Sequence, residues 1–188
     1  MQIVLRLSIR AKMLLKQTLF NPTNHVILTW EIVKDLSQHT FTLAADHYLE
    51  TRDDLIPTGK FIDVAGTAYD FQTGQNLGEA IADTGGLDDA FLVNASLDKP
   101  CGELKDEESG DSVHLYSDRD AWVVYSMGGI PEGIYPARDK GKMAKEFESL
   151  ALEAQFLPDA INHDNFGDIT LQANEEKSYT IAFEYHKG

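Results

Sequence analysis

Three short stretches of this 188-residue chain set polar side chains beside apolar ones in a way that invites proton chemistry. "NPTNH" (residues 21–25) presents Asn21, Asn24 and His25 directly before an apolar run. "GGLDDAF" (residues 85–91) places Asp88 and Asp89 after a flexible turn. "LEAQFLPDAINH" (residues 152–163) sets Glu153 and Gln155 between Leu152, Ala154 and Phe156. Imidazoles and carboxylates are the side chains that most often give and take protons during a reaction. A glutamate buried in an apolar run is also costly unless it is paired or hydrogen-bonded. Each residue taken singly has a plain structural reading too. His25 reads as a hydrogen-bonded core histidine, Asp88 as a turn residue and Glu153 as a carboxylate on a helix face.

The elements that must position these residues follow a period of two. "QIVLRLSI" puts Ile3, Leu5, Leu7 and Ile9 on one face and Val4, Arg6 and Ser8 on the other. "HTFTLAAD" alternates Phe41, Leu43 and Ala45 against Thr40, Thr42 and Ala44, as one strand. "SVHLYS" and "AWVVYS" read as two more, joined by the turn-like "DRD", and "SYTIAFEYH" as another. Loops such as "IPTG", "KDEESGD" and "GGIPEGIYP" separate them. Short strands between turn signals predict an all-β sandwich or barrel. "KMAKEFESLALEAQ" stays open. Its composition favours a helix, whereas alternation from Leu150 to Phe156 followed by Pro158 permits a strand. On a strand, Glu153 and Gln155 share a face opposite the apolar set.

Composition narrows the partners. Hydrophobic residues make up 43% and charged residues 25%, as in soluble globular proteins. The net charge of −15 argues against nucleic acid and anionic membranes. The first thirty residues nevertheless hold four bases and no acid, which resembles a targeting segment until Arg6 and Arg10 interrupt the apolar stretch. One cysteine, Cys101, and no long apolar run predict a cytoplasmic protein. The six histidines show no zinc spacing, and the acidic loop Asp106 to Asp111 lacks the alternating ligands of a calcium site, so no metal is expected. Neither a phosphate-cradling glycine motif nor a serine nucleophile elbow is present.

Taken together, "NPTNH", "LIPTGKFIDVAGTAYDF", "GGLDDAF", "SGDSVHLYSDRDAWVVYS" and "LEAQFLPDAINH" resemble the galactose mutarotase (aldose 1-epimerase) family, in the family's order and over nearly the whole chain. The resemblance implies a large antiparallel β-sandwich with an open sugar cleft, a hexose substrate and no cofactor. It implies His25 as general acid, Glu153 as base and Asp88 as the acid that holds sugar hydroxyls; Gln155 is added as a supporting contact because it shares the face of Glu153. The chemistry suits these types: a carboxylate of pKa about 4.3 accepts the proton of the C1 hydroxyl, and an imidazole of pKa about 6.5 delivers one to the ring oxygen.

The chain departs from the family pattern in three ways. It resembles the C-terminal portion alone, so residues 1–188 are expected to form a single incomplete, N-terminally truncated domain. The family's His-Gly-Gly motif and its site arginine belong to the portion without a counterpart, and no His-Gly dipeptide occurs here. A sandwich cut in this way predicts self-association or a complementing N-terminal fragment. Second, Asp89 stands where the family's turn has histidine, and repulsion between adjacent acids is expected to bear on the local geometry. Third, "VILTWEIVKD" replaces an aromatic "Tyr-Phe-Asn-Leu". A one-base frame slip over residues 27–34 is our hypothesis for that change, and an unambiguous native reading frame in the gene sequence rules it out. An alternative to catalysis is a non-catalytic carbohydrate-binding remnant, or one piece of a split enzyme.

Overall fold

The computed structural model describes residues 3–29, 35–136 and 140–188. In chain order the strands are β1 (Ile3–Lys12), β2 (Thr18–Leu19), β3 (Val26–Leu28), β4 (His39–Leu43), β5 (Ala45–Thr51), β6 (Pro57–Asp63) and β7 (Gln75–Asn76). After the helix α1 (Leu77–Thr84) come β8 (Asp88–Val93), β9 (Gly102–Asp106), β10 (Ser112–Ser117), β11 (Ala121–Tyr125), β12 (Leu150–Gln155), β13 (Thr170–Leu171) and β14 (Glu176–His186). Among the described residues these strands build two six-stranded antiparallel sheets and one small pair, β13 with β2. The first sheet runs β1-β14-β10-β9-β4-β7 and the second β3-β12-β11-β8-β5-β6. The expected all-β sandwich is what the chain forms.

Alternation explains why the sheets stack. Phe41, Leu43, Leu104, Leu115, Ile181 and Phe183 project from the first sheet into one core with Phe91, Trp122, Val124, Leu150, Leu152 and Ala154 of the second. Trp122 and Phe183 meet edge to face across the layers, ring centroids 6.0 Å apart. Removing one fully buried leucine from such a core costs about 2–5 kcal/mol. A second cluster (Leu49, Ala90, Ala121, Leu157, Ala160 and Phe166) lies on the other face of the second sheet, under the chain that follows β12. That sheet is therefore covered fully on one face and partly on the other.

Two local readings change and an open one is decided. The "HTFTLAAD" alternation is divided between two strands: β4 belongs to the first sheet and β5 to the second, with the break at Ala44, whose N–H donates to the Cys101 carbonyl (2.8 Å). A period of two cannot report a strand that changes sheets, because both faces keep their parity through the corner. The tripeptide after Ile56 is the start of β6 and not a loop. Pro57 is tolerated there because β6 is a sheet edge and Pro57 is its first residue. The ambiguous segment resolves as the strand β12.

Helix α1 sets up the approach to Asp88. Asn76 caps it by accepting from the Glu79 N–H (3.1 Å), and Leu77, Ala80 and Ile81 are buried. Gly85 ends it in the left-handed region (φ 80°), and Gly86 follows at φ 126°. A side chain at Gly86 would also press on the Phe147 ring, 3.2 Å from an added Cβ. Ser126 then locks the turn, its Oγ accepting from the Leu87 N–H (2.8 Å) and its N–H donating to the Leu87 carbonyl (3.0 Å). No helix among the described residues is long and apolar enough to cross a membrane.

Candidate acid–base site on the outer face of the second sheet

Parity along β12 answers why Glu153 sits in an apolar run. Leu150, Leu152 and Ala154 enter the core, while Glu153 and Gln155 point to the opposite face and line a cleft of about 290 Å³. Leu49, Thr51, Leu55, Asp88, Ala90, Val123 and Pro158 complete its wall. Asp88 reaches this face because β8 pairs with β11 in regular register, Asp88 opposite Tyr125 and Ala90 opposite Val123. Leu55 holds φ at 61°, a left-handed conformation that costs a non-glycine residue of order 1–3 kcal/mol and is commonest at functional sites.

His25 is delivered from an adjoining segment that is stitched to β12 by side chains. Asn24 Nδ2 donates to the Leu152 carbonyl (3.3 Å), Thr23 Oγ1 to the Ala154 carbonyl (2.9 Å) and Asn21 Nδ2 to the Phe156 carbonyl (3.0 Å). Asn21 Oδ1 in turn accepts from the Phe156 N–H (2.9 Å). The side chains thus stand in for a missing ladder until β3 begins regular pairing at Val26, opposite Leu152. Nε2 of His25 lies 3.4 Å from Oε1 of Glu153. The Tyr125 ring meets His25 edge-on at 6.3 Å, and Tyr125 is itself anchored by donating its hydroxyl to the Gly128 carbonyl (2.8 Å).

The electrostatics follow from burial. Only 16% of the Glu153 side chain is exposed, against 54% for His25. Desolvation raises the Glu153 pKa above the ordinary carboxylate value; His25 opposes the rise and Asp88 adds to it. Partial burial raises Asp88 as well, again opposed by His25. Of the four expected residues, Asp88, Glu153 and Gln155 line one cleft, and His25 stands beside it, 3.4 Å from Glu153.

Asp89 points the other way. Its carboxyl sits near Tyr48 and Tyr69 on the core side of β8, and its Oδ2 accepts from the Asp88 N–H (3.1 Å). Burial pushes Asp89 up to about 6 against the lowering effect of the Asp88 N–H, and burial with the neighbouring Asp89 charge pushes Tyr69 up to about 12. Because successive residues of a strand face opposite sides, the two acids do not compete for one space and β8 keeps its register. Of the segment assigned to a frame slip, Ile27 and Leu28 pair with Ala151 and Leu150, and residues 30–34 lie outside the described residues.

Sequence reading missed Arg119. Within "SDRDA" it looks like one more charged turn residue, yet it is fully buried. Its guanidinium stacks 3.7 Å from the Tyr179 ring centroid and 4.4 Å from that of Phe156, and it donates to Asn21 Oδ1 (2.6 Å) and the Pro22 carbonyl (3.3 Å). A topological signal does exist: the turn carries the chain from β10 in one sheet to β11 in the other, so it lies at a corner of the sandwich.

The fold and site define an antiparallel sandwich with an imidazole–carboxylate pair on an open cleft. Residues 2–184 match the aldose 1-epimerase family, and the chain belongs to that family. It is 44% identical to an aldose 1-epimerase of Streptococcus thermophilus over 173 residues, which cover 90% of this chain and 50% of the relative. It is 36% identical to a maltose epimerase of Levilactobacillus brevis (89% of this chain, 49% of the relative) and 30% identical to human galactose mutarotase (88% and 49%). The chain therefore spans about half the length of these relatives. Among solved structures, an aldose epimerase homologue from C. elegans superposes with a TM-score of 0.84 at 22% identity, covering 99% of this chain and 56% of that one. A galactose 1-epimerase from Lactobacillus acidophilus gives 0.81 at 23%, covering 98% and 54%.

Proposed function

We propose that these residues interconvert the α and β anomers of a hexose such as galactose or glucose, with Glu153 as base, His25 as acid, and Asp88 and Gln155 holding sugar hydroxyls. The observation that carries this reading is the 3.4 Å approach of His25 Nε2 to Oε1 of Glu153, which lines the cleft. In a pyranose the C1 hydroxyl and the ring oxygen are bonded to the same carbon, so an acid and a base acting on them must converge to within a few ångströms. Glu153 takes the C1 hydroxyl proton, imidazolium His25 gives its proton to the ring oxygen, the C1–ring oxygen bond breaks and a C1 carbonyl forms. Rotation about C1–C2 and reversal of both transfers close the other anomer and return each proton. A carboxylate whose pKa is raised by burial is a stronger base near neutrality, which suits the first step. The apolar wall, Leu49, Leu55, Ala90 and Val123, suits the C–H face of a sugar ring. Polarimetry of freshly dissolved α-galactose with the purified chain and its Glu153→Gln variant tests this. Acceleration lost in the variant supports the reading; equal traces refute it.

One observation favours a second reading, in which the chain is one piece of a split mutarotase or a non-catalytic sugar binder. Strand β1 is a ten-residue sheet edge with Ile3, Val4 and Leu5 each 48–49% exposed, although they point to both faces of the strand. A complementing fragment, supplying what the longer relatives possess, or a second copy of the chain would cover them. Sedimentation shows which: self-association appears in the purified chain alone, and a split enzyme gains turnover only when the other half is added.

A further inference from the structure

We propose that Arg119 is a positioning residue for the His25–Glu153 pair: a cation sealed into the sandwich corner that clamps the His25-bearing segment onto the end of the strand carrying Glu153. The catalytic part of this proposal rests on the function proposed above; the geometry does not. Arg119 is 0% exposed and takes part in none of the described ion pairs. Its Nε is buried without a hydrogen-bond partner. Burial disfavours the charged guanidinium, and the two aromatic faces with the neighbouring Asp118 and Asp120 offset part of that penalty. An apolar side chain would fill the corner without that cost, so what sets Arg119 apart is where its two bonds go. Both end on Asn21 and Pro22, the start of the stretch that delivers His25.

The clamp works through one amide. Asn21 Oδ1 accepts from Arg119 and from the Phe156 N–H, while Asn21 Nδ2 donates to the Phe156 carbonyl. A guanidinium has donors only, so it dictates which end of the amide faces the corner. Phe156 also supplies one of the rings that hold the cation, and it directly follows β12. Arg119, Asn21 and Phe156 thus close a ring of contacts at one end of the stitched margin, with His25 and Glu153 further along it. Lysine would not be equivalent, because a single ammonium lacks the planar fork that bridges two acceptors between two stacked rings.

The test is a carboxyl ¹³C NMR titration of Glu153 in the wild-type chain, Arg119→Met, Arg119→Lys and, as a control for general loosening, Leu104→Ala in the core of the other sheet. The charged groups acting on Glu153 are His25, from the stitched segment, and Asp88, from β8; Val123 and Gln155 beside it are uncharged. If the clamp opens, His25 retreats and Asp88 remains, so the Glu153 midpoint climbs by roughly 0.5 pH unit or more in Arg119→Met. It climbs less in Arg119→Lys and stays put in Leu104→Ala. In turnover, Arg119→Met lowers kcat on the order of tenfold or more with KM changed less than about twofold. A wild-type Glu153 midpoint in folded Arg119→Met overturns the proposal, and where that variant does not fold, Arg119→Lys decides by the same midpoint. The titration needs no turnover, so an inactive wild-type chain would count against the proposed function and leave this test standing.

Discussion

The two sheet margins at β1 and β3 are built in opposite ways. Strand β1 lies along β14 in unbroken register from Ile3–Tyr185 to Lys12–Glu176, so a long main-chain ladder holds it, with the exposed Arg10–Glu176 ion pair and Leu7 packing beside it. Strand β3 pairs only three residues with β12, and the approach to it is held by Asn21, Thr23 and Asn24 reaching main-chain groups. A main-chain ladder accepts many sequences and fixes the face each side chain takes through its register. Stitching by named side chains is less tolerant and holds the neighbouring residue in place. The candidate acid–base pair sits at the stitched margin, whereas the polar groups beside β1, among them Arg6, Asp98, Tyr116 and Glu184, line a separate cleft.

The largest effect that would break this contrast is on turnover. Glu153→Gln is expected to lower mutarotation by a factor of about 10²–10⁴ without loss of thermal stability, because it removes a carboxylate that burial disfavours. Polarimetry beside a melting curve checks both halves. In the wild type, kcat/KM should fall on the acid side as Glu153 becomes protonated. Because burial raises its pKa, that limb lies above the ordinary glutamate value.

Next comes the stitching itself. Asn21→Ala strands the Phe156 N–H and carbonyl and takes an acceptor from Arg119. The expected cost is about 2–4 kcal/mol, a Tm drop on the order of 10 °C by calorimetry. The same count of bonds lost from the β1 ladder is shared among ten residues, so no single side chain there should matter as much.

Asp89 gives a smaller, pH-dependent effect. Its folded pKa is raised to about 6, so the protonated carboxyl favours folding below the unfolded value, and that contribution is lost as pH rises through about 6. Asp89→Asn should therefore raise Tm at pH 8, by less at pH 6, and hardly at all near pH 4. A gain that grows toward acid would show that the carboxylate is stabilised by its surroundings instead. Val4→Lys on the β1 edge is the mildest change. Stability should move by less than about 0.5 kcal/mol while light scattering at high concentration falls.

How much of this was legible in the sequence differs between the margins as well. Strict alternation exposed β1, β10, β11 and β14; β10, β11 and the middle of β14 send residues into the core, whereas β1 lays the partly buried Leu7 against it. Alternation failed at Ala44–Ala45, where parity survives a change of sheet, and it left β12 undecided because alanine, leucine and glutamate also favour helix. The roles of His25, Asp88 and Glu153 were reached through motif resemblance, whereas Gln155 came from period-two alternation, which puts it on the face of Glu153. Arg119 was illegible for a physical reason. Its partners Asn21, Phe156 and Tyr179 come from three distant parts of the chain, and a buried arginine in a turn looks locally like a solvated one.

The central claim is that His25 and Glu153 form a proton-transfer pair acting on a pyranose. Saturation transfer between the C1 protons of α- and β-galactose at equilibrium tests it most directly, comparing the wild-type chain with His25→Gln and Glu153→Gln. The account predicts exchange faster than in buffer for the wild type and none beyond buffer for either variant. Unchanged exchange in Glu153→Gln, or none from a wild-type chain shown to be folded, would contradict it.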